Sequence, residues 1–331
     1  MARIGVVGAG LIGGSIARAA AETAGAGMVA VHDRDPGTRA ELAAAGFAVA
    51  DAAAEVARAA PLVVVAVPPA ATAGVVLELL AAAPGAVVTD AASVKASVCE
   101  AVAAAAAPAQ LARFVPGHPL AGHQSRGWRH ADPGLLDGAT WALAPDPART
   151  DLAAAIRVVE AVTGLLGGRV LAVLPRDHDR ALARTSHMPH VVATALMRVV
   201  GAEAPALRMR LSGGALRDGT RVAEADAGLW GDILRDNAGE VMAALEAMEA
   251  ELAALRAMLA DGRADALAAA WREGAALRAA LGRLRWSDGD PAAAARTART
   301  VDDLLAIGRE GALITGVPDA GPPARLLVAA R

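Results

Sequence analysis

The 331-residue sequence predicts an α/β domain with a parallel sheet, followed by an all-helical domain. Three observations carry that prediction. In the first half, short apolar runs alternate with helical stretches, the pattern of successive βα units. Gly8-Ala9-Gly10-Leu11-Ile12-Gly13 sits between the first apolar run and the first helical stretch. From Pro175 onward long amphipathic stretches replace the alternation, and no further strand is convincing.

Taken in order, Ile4–Val7 reads as the first strand and Leu11–Ala24 as the first helix. Val29–His32, Leu62–Val67 and Ala86–Thr89 follow as strands, with helices over Pro36–Ala45, Ala70–Ala82 and Val94–Ala107. Arg113–Val115 and Trp141–Ala144 are weaker strands, and a helix over Pro147–Leu166 and a strand at Arg169–Leu174 close this half. Helical patterns then occupy 175–201, 229–260 and 264–285. Met242, Leu245, Met248 and Leu252 recur at helical spacing, which reads by itself as a core face. The chain thus divides into residues 1–170, 171–286 and 287–331. Asp288-Gly289-Asp290-Pro291 marks the last segment as a peripheral tail with one helix near Thr300–Glu310.

Composition narrows the function. Hydrophobic residues make up 55% and charged residues 20%, which excludes intrinsic disorder. Lys+Arg number 32 against 35 Asp+Glu, so no broad basic face meets nucleic acid. Residues 59–77 carry no charge, but Pro68-Pro69 interrupts the run, so no membrane span is expected. The N-terminal glycines and Arg18 likewise argue against a secretory signal, and the single Cys99 fits a reducing cytoplasm. Lys95 is the sole lysine among 32 basic residues. In a chain this rich in Ala and Arg, residue types that persist are informative: Lys95, the seven histidines and Asn237.

Gly8, Gly10 and Gly13 fit G-x-G-x-x-G in its required setting, between strand and helix. The first allows a tight turn, the second lets backbone approach a pyrophosphate, and the third packs helix on strand. Leu11 and Ile12 open the helix whose N-terminal N–H groups and dipole favour that anion. Asp33 ends the second strand, where a carboxylate binds the adenosine ribose hydroxyls of NAD. A carboxylate repels the 2′-phosphate of NADP, although Arg34 beside it is able to hold one, so NAD is the expected cofactor.

Five histidines fall in two stretches: Gly117-His118-Pro119-Leu120-Ala121-Gly122-His123-Gln124, and Asp177-His178-Asp179 with Ser186-His187-Met188-Pro189-His190. From the residues alone, the second stretch could bind metal or hold ordinary buried or capping histidines. There is no H-E-x-x-H, and Cys99 stands alone, so no metal is expected.

These stretches also carry a resemblance. The glycine motif running into Gly13-Gly14-Ser15, then Asp90-Ala91-Ala92-Ser93-Val94-Lys95, then His118-Pro119-Leu120-Ala121-Gly122, resembles the prephenate/arogenate dehydrogenase family. So do the two histidine motifs beyond residue 176, and Arg217-Asp218-Gly219-Thr220-Arg221 followed by Leu229-Trp230 and Asp232-Ile233. The motifs recur in family order over residues 1–285.

The resemblance implies a Rossmann-type nucleotide domain, a helical dimerisation domain and a homodimer. It implies oxidative decarboxylation of prephenate to 4-hydroxyphenylpyruvate, the committed step toward tyrosine. His118 is then the base that takes the 4-hydroxyl proton, and Ser93 a second partner of that hydroxyl. Arg221 is the first choice for a substrate carboxylate, with His190 and His187 as further donors and Arg217 a weaker candidate. His178 orders the site or supports a helix. Lys95 supports the loop holding Ser93, against the plainer reading of a surface lysine.

Gln124 is neutral where an acidic residue would pair with the ammonium of arogenate, which favours prephenate. The stretch from Ser287 is too short for the regulatory domain some members carry, and Ala215-Leu216 stand where a bulkier aromatic is expected. Competing readings are arogenate or 4-amino-4-deoxyprephenate as substrate, and a non-catalytic NAD-binding sensor. A β-hydroxyacid dehydrogenase or imine reductase shares the two-domain plan but would place a lysine in the helical half, which has none.

Overall fold

The computed structural model describes residues 3–122, 125–202, 205–283 and 293–329. The chain forms two compact units. The first runs to Asp179 and adds Asp226–Asp236 and the described C-terminal segment; the second holds Arg180–Ala225 and the stretch beginning at Asn237.

The first unit is built on six parallel strands, β1 (Ile4–Val7), β2 (Val29–His32), β3 (Ala48–Val49), β4 (Leu62–Val65), β5 (Val87–Asp90) and β6 (Phe114–Val115). They lie in the order β3-β2-β1-β4-β5-β6. Helices α1 (Leu11–Ala24), α2 (Pro36–Ala44), α3 (Ala53–Ala59), α4 (Pro69–Ala82), α5 (Ala96–Ala105) and the single turn α6 (Pro108–Leu111) connect them. Val-rich strands are needed here because both sheet faces are covered. Ile4, Val6, Val31 and Val64 enter one buried cluster, and Val7, Val63, Val65 and Val88 the other. Local chemistry fixes the helix starts: the Asp35 carboxylate accepts Thr38 N–H at 2.7 Å, with Pro36 as the first helical residue. Strand order reverses between β1 and β4, so a crevice opens beyond their carboxyl ends.

Two strands of this region escape the sequence pattern. β3 has only two residues, and β7 (Gly117–Pro119) has a glycine and a proline among three. β7 pairs antiparallel with β8 (Thr140–Leu143), which runs parallel to β9 (Arg169–Ala172). Between them lie α7 (Leu152–Glu160), shorter than the expected Pro147–Leu166, and a wide π turn over Ala161–Leu165.

The C-terminal segment corrects the expected peripheral tail. β10 (Ala294–Ala298), β11 (Leu313–Asp319) and β12 (Ala324–Ala329) extend the second sheet in the order β10-β12-β11-β9-β8-β7. The helix Val301–Arg309 was expected, and its Thr300 hydroxyl and Asp303 carboxylate form a reciprocal cap. Its role was not. Leu304, Leu305 and Ile307 are buried in the first unit's main core, each stabilising by about 1.5–3 kcal/mol. Gly308 lets this helix touch β9, because a Cβ there would stand 1.7 Å from the Ala172 carbonyl oxygen.

The first unit ends in α8 (Pro175–Leu182), which continues beyond Asp179 into the second unit through a π turn, Ala183–His187. The second unit contains α9 (Met188–Ala202), α10 (Pro205–Arg210) and α11 (Gly214–Thr220). α12 (Ala227–Asp236) belongs to the first unit, against α4. The second unit resumes with α13 (Ala238–Ala260) and α14 (Ala264–Arg283), packed on one another. The α13 stripe corrects the core reading: Met242 is 61% and Leu252 56% exposed, and only Val241 and Ala244 of that helix are buried. A three-to-four spacing shows that a helix has an apolar face, not what covers it.

Candidate active site

Of the residues chosen from sequence in the first unit, the glycine loop, Asp33 and Ser93 follow the carboxyl ends of parallel strands, and His118 lies in β7 of the second sheet. Gly8 follows β1 with φ +91°, and a Cβ there would lie 2.5 Å from the Ala66 carbonyl oxygen. Gly13 has no room either, with the Gly8 carbonyl oxygen 1.8 Å from a built Cβ. At Gly10 the corresponding space is open, as backbone approach to a pyrophosphate requires. Leu11 and Ile12 begin α1, whose N-cap is Gly10 and whose first turn has neither a side-chain cap nor an acidic residue. An anion is the complementary partner for such an end. Asp33 follows β2; one carboxylate oxygen accepts Ala9 N–H at 2.7 Å and the other Asp35 N–H at 2.8 Å. Two oxygens with about four lone-pair directions retain capacity for ribose hydroxyls. The cradle therefore fits a dinucleotide.

Beyond β5 the polar groups turn inward. Asp90 is buried; it accepts Ala92 N–H at 3.0 Å and Gly117 N–H at 3.1 Å, and it pairs with the Lys95 ammonium. The same ammonium donates to the Gly117 carbonyl at 2.6 Å, and Lys95 is 0% exposed. Lys95 is therefore no surface lysine. It ties the β5–α5 loop, which carries half-buried Ser93, to the strand that carries His118. An ion pair buried this deeply is tolerated because further hydrogen bonds satisfy both partners.

His118, at the centre of β7, is 9% exposed. Its Nδ1 lies 2.9 Å from Nε2 of His178, and His178 Nδ1 lies 2.7 Å from a carboxylate oxygen of Asp179. That carboxylate also accepts Lys95 N–H and Ala96 N–H, both at 2.8 Å. Asp179 and His178 belong to this site as much as His118 does. Sequence reading placed only a supporting role on His178 and none on Asp179. The Asp177-His178-Asp179 motif was visible, but the backbone donors that fix the Asp179 carboxylate stand more than 80 residues away.

The remaining substrate candidates lie in the second unit, apart from Gln124, which is outside the described residues. His187 closes the π turn before α9, a local widening common at functional positions. It is 1% exposed, and the Asn237 amide donates to its Nδ1 at 3.0 Å. Asn237 is thus a further site-supporting residue, signalled only by being a rare residue type in this chain. His190, on the first turn of α9, is half-buried and donates from Nδ1 to the Ser186 carbonyl at 2.9 Å. Burial, aided by nearby Arg221, pushes its pKa below the usual histidine value. A neutral His190 therefore presents Nε2 as an acceptor, and donation to a carboxylate needs a second proton. Arg221 opens a 3-10 turn and is exposed; Arg217, on α11, is exposed as well. Among the described residues no cluster of three His, Cys, Asp or Glu is placed to hold a metal ion.

A dinucleotide cradle with a carboxylate-backed imidazole in the same unit is the equipment of a dehydrogenase, the class that the first unit defines. The comparisons narrow it. The prephenate dehydrogenase nucleotide-binding domain model matches residues 16–171, and the prephenate dehydrogenase dimerization domain model matches 174–273. The chain belongs to the prephenate dehydrogenase family. It is 34% identical over 285 residues to the cyclohexadienyl dehydrogenase of Zymomonas mobilis, covering 84% of this chain and 95% of that one. The A. aeolicus prephenate dehydrogenase structure with hydroxyphenyl propionate and NAD+ is 27% identical with TM-score 0.76, covering 85% and 98%. Synechocystis arogenate dehydrogenase is 25% identical with TM-score 0.72, covering 84% and 99%.

Proposed function

We propose that this chain oxidises prephenate with NAD, yielding 4-hydroxyphenylpyruvate and CO2. The observation that carries the reading is the meeting of two sheets in one unit: the glycine loop, Asp33 and Ser93 follow the carboxyl ends of β1, β2 and β5, and Lys95 ties the Ser93 loop to β7, the strand of the second sheet that carries His118. Asp33 supports NAD over NADP, because a fixed carboxylate meets ribose hydroxyls well and a 2′-phosphate badly. NAD, when bound, supplies the acceptor for the hydride leaving the ring carbon that bears the 4-hydroxyl.

In this reading His118 accepts the hydroxyl proton as that carbon becomes carbonyl-like, and Ser93 hydrogen-bonds the same oxygen. Loss of the ring carboxylate as CO2 returns its bonding electrons to the ring and completes the aromatic system. The oxygen then takes its proton back from His118, so no net proton stays on the protein. Arg221 offers a planar guanidinium for a substrate carboxylate, with Arg217 the weaker candidate. His190 lies close enough to share that work, whereas buried His187 is assigned to holding the turn beneath it. Gln124 supports prephenate over arogenate, since a neutral amide offers no charge to an ammonium.

Exposed Leu207, Leu211, Met242, Leu252 and Trp271 in the second unit, which the dimerization model covers, support a homodimer. A solution mass of one chain would overturn that part. No helix among the described residues is long and apolar enough to cross a membrane. The cytoplasm, where nicotinamide cofactors are recycled, is the expected location, and recovery from the secreted fraction would refute it.

The deciding assay follows NADH absorbance with NAD or NADP crossed against prephenate or arogenate. Rapid turnover with NAD and prephenate is expected. Turnover with arogenate alone would reject the Gln124 argument, and silence with both would reject the activity.

A further inference from the structure

We propose that Asp179, acting through His178, sets which ring nitrogen of His118 carries the proton, so that both are positioning residues for the reaction. The inference rests on the reading of His118 as proton acceptor. It adds what that reading lacks, a reason for the ring to hold its lone pair on the correct nitrogen.

Two donors beside Asp179 have no choice of role. Backbone N–H groups only donate, and Lys95 N–H and Ala96 N–H point at different oxygens of Asp179, each at 2.8 Å. The side chain at 179 must therefore present an acceptor at both positions, which a carboxylate does. His178 Nδ1 lies 2.7 Å from the oxygen that Lys95 N–H already uses, so this nitrogen must be the protonated one. A neutral His178 then carries its lone pair on Nε2. That lone pair lies 2.9 Å from His118 Nδ1, which must donate to it. In a neutral His118 the remaining lone pair falls on Nε2, the nitrogen that takes the proton in the proposed reaction.

Burial makes this order costly to reverse. His178 is 3% and Asp179 2% exposed. The opposite tautomers would set a nitrogen lone pair against a carboxylate lone pair where water does not relieve it. Lys95 keeps the chain in register, because its own N–H holds Asp179 while its ammonium holds Gly117, the neighbour of His118.

Asp179→Asn is the informative substitution. An asparagine cannot satisfy two backbone donors and His178 together. When its NH2 faces His178, the order inverts and leaves His118 protonated on Nε2. With the full-length chain labelled with 15N-histidine, nitrogen shifts at a pH where the ring is neutral report the tautomer, and His118→Asn identifies the signals. The expected wild-type result is a protonated Nδ1 and an unprotonated Nε2. In Asp179→Asn the two signals should exchange or average, and kcat should fall about 10²–10⁴-fold while NAD affinity holds.

His178→Phe serves if Asp179→Asn fails to fold, because it breaks the link yet leaves Asp179 on Lys95 and Ala96. It should also mix the His118 tautomers and lower kcat. A wild-type His118 protonated on Nε2 would overturn the proposal, as would full kcat in either folded variant. Failure of the underlying reading looks different: His118→Asn would then turn over normally while the tautomer signals stayed as expected.

Discussion

In the first unit the chain of polar contacts behind His118 ends on a carboxylate, whereas in the second unit His187 meets an amide and His190 a backbone carbonyl. The ring is the same, but the partner decides what it offers. Asp179 makes His178 a donor toward itself and so leaves His118 a lone pair for accepting a proton. The Asn237 amide donates to His187 Nδ1, which puts the proton of a neutral His187 on Nε2. The Ser186 carbonyl requires the reverse at His190. Reactivity therefore follows from whatever lies on the far side of each imidazole, and a histidine motif alone does not reveal it.

The largest test of this contrast is His118→Asn. An amide keeps the size and loses the basicity, so kcat should fall about 10²–10⁴-fold, with NAD affinity unchanged because the glycine loop and Asp33 are untouched. Steady-state kinetics with a separate NAD titration reads both quantities. Normal turnover would make the first unit's histidines no different in kind from the second's.

Lys95→Met probes the frame rather than the ring. It leaves Asp90 charged, buried and without its cation, which should cost about 3–5 kcal/mol of stability by denaturant titration. Because Lys95 also holds the Gly117 carbonyl, turnover should fall in whatever fraction stays folded. A loss below about 1 kcal/mol would mean that the pair is replaceable and the register of β7 is held elsewhere.

How much of this was legible beforehand depends on how far apart the cooperating residues stand. β1, the glycine loop, α1 and Asp33 lie within one stretch of sequence, and each was placed correctly because its signals are local. β10–β12 were not. Ala294–Ala298 is poor in β-formers, Leu313–Asp319 contains Gly316 and Pro318, and Ala324–Ala329 reads equally well as helix. These strands exist because β9, more than 140 residues earlier, offers an edge to pair with. Asp179 and Asn237 escaped for a related reason: the backbone donors that fix Asp179 and the imidazole that Asn237 meets are distant in sequence. The histidines were legible as a set, but the tautomer each one holds was not.

In the second unit, Asn237→Leu should cost about 1–3 kcal/mol, because it strands the buried Nδ1 of His187 without its donor. The kinetic effect should fall on the KM for prephenate and leave kcat nearly intact. A fall in kcat as large as that of His118→Asn would show that His187 takes part in the chemistry, and the contrast between the units would then be wrong.

The smallest effect belongs to His190. Burial holds its pKa below the usual histidine value, so the unfolded chain takes up a proton before the folded one does. The sign follows: its neutral form contributes stability above the unfolded-state pKa of about 6.5, and that contribution is lost as pH falls through this range. His190→Gln removes the titration. Between pH 7.5 and 5.5 the melting temperature of the variant should therefore fall less than that of the wild type, with both curves measured in one buffer series. A steeper fall in the variant would mean that folded His190 binds its proton more tightly than the unfolded chain does. In that case it would be a charged donor toward carboxylates, and the two units would differ less than their hydrogen bonds imply.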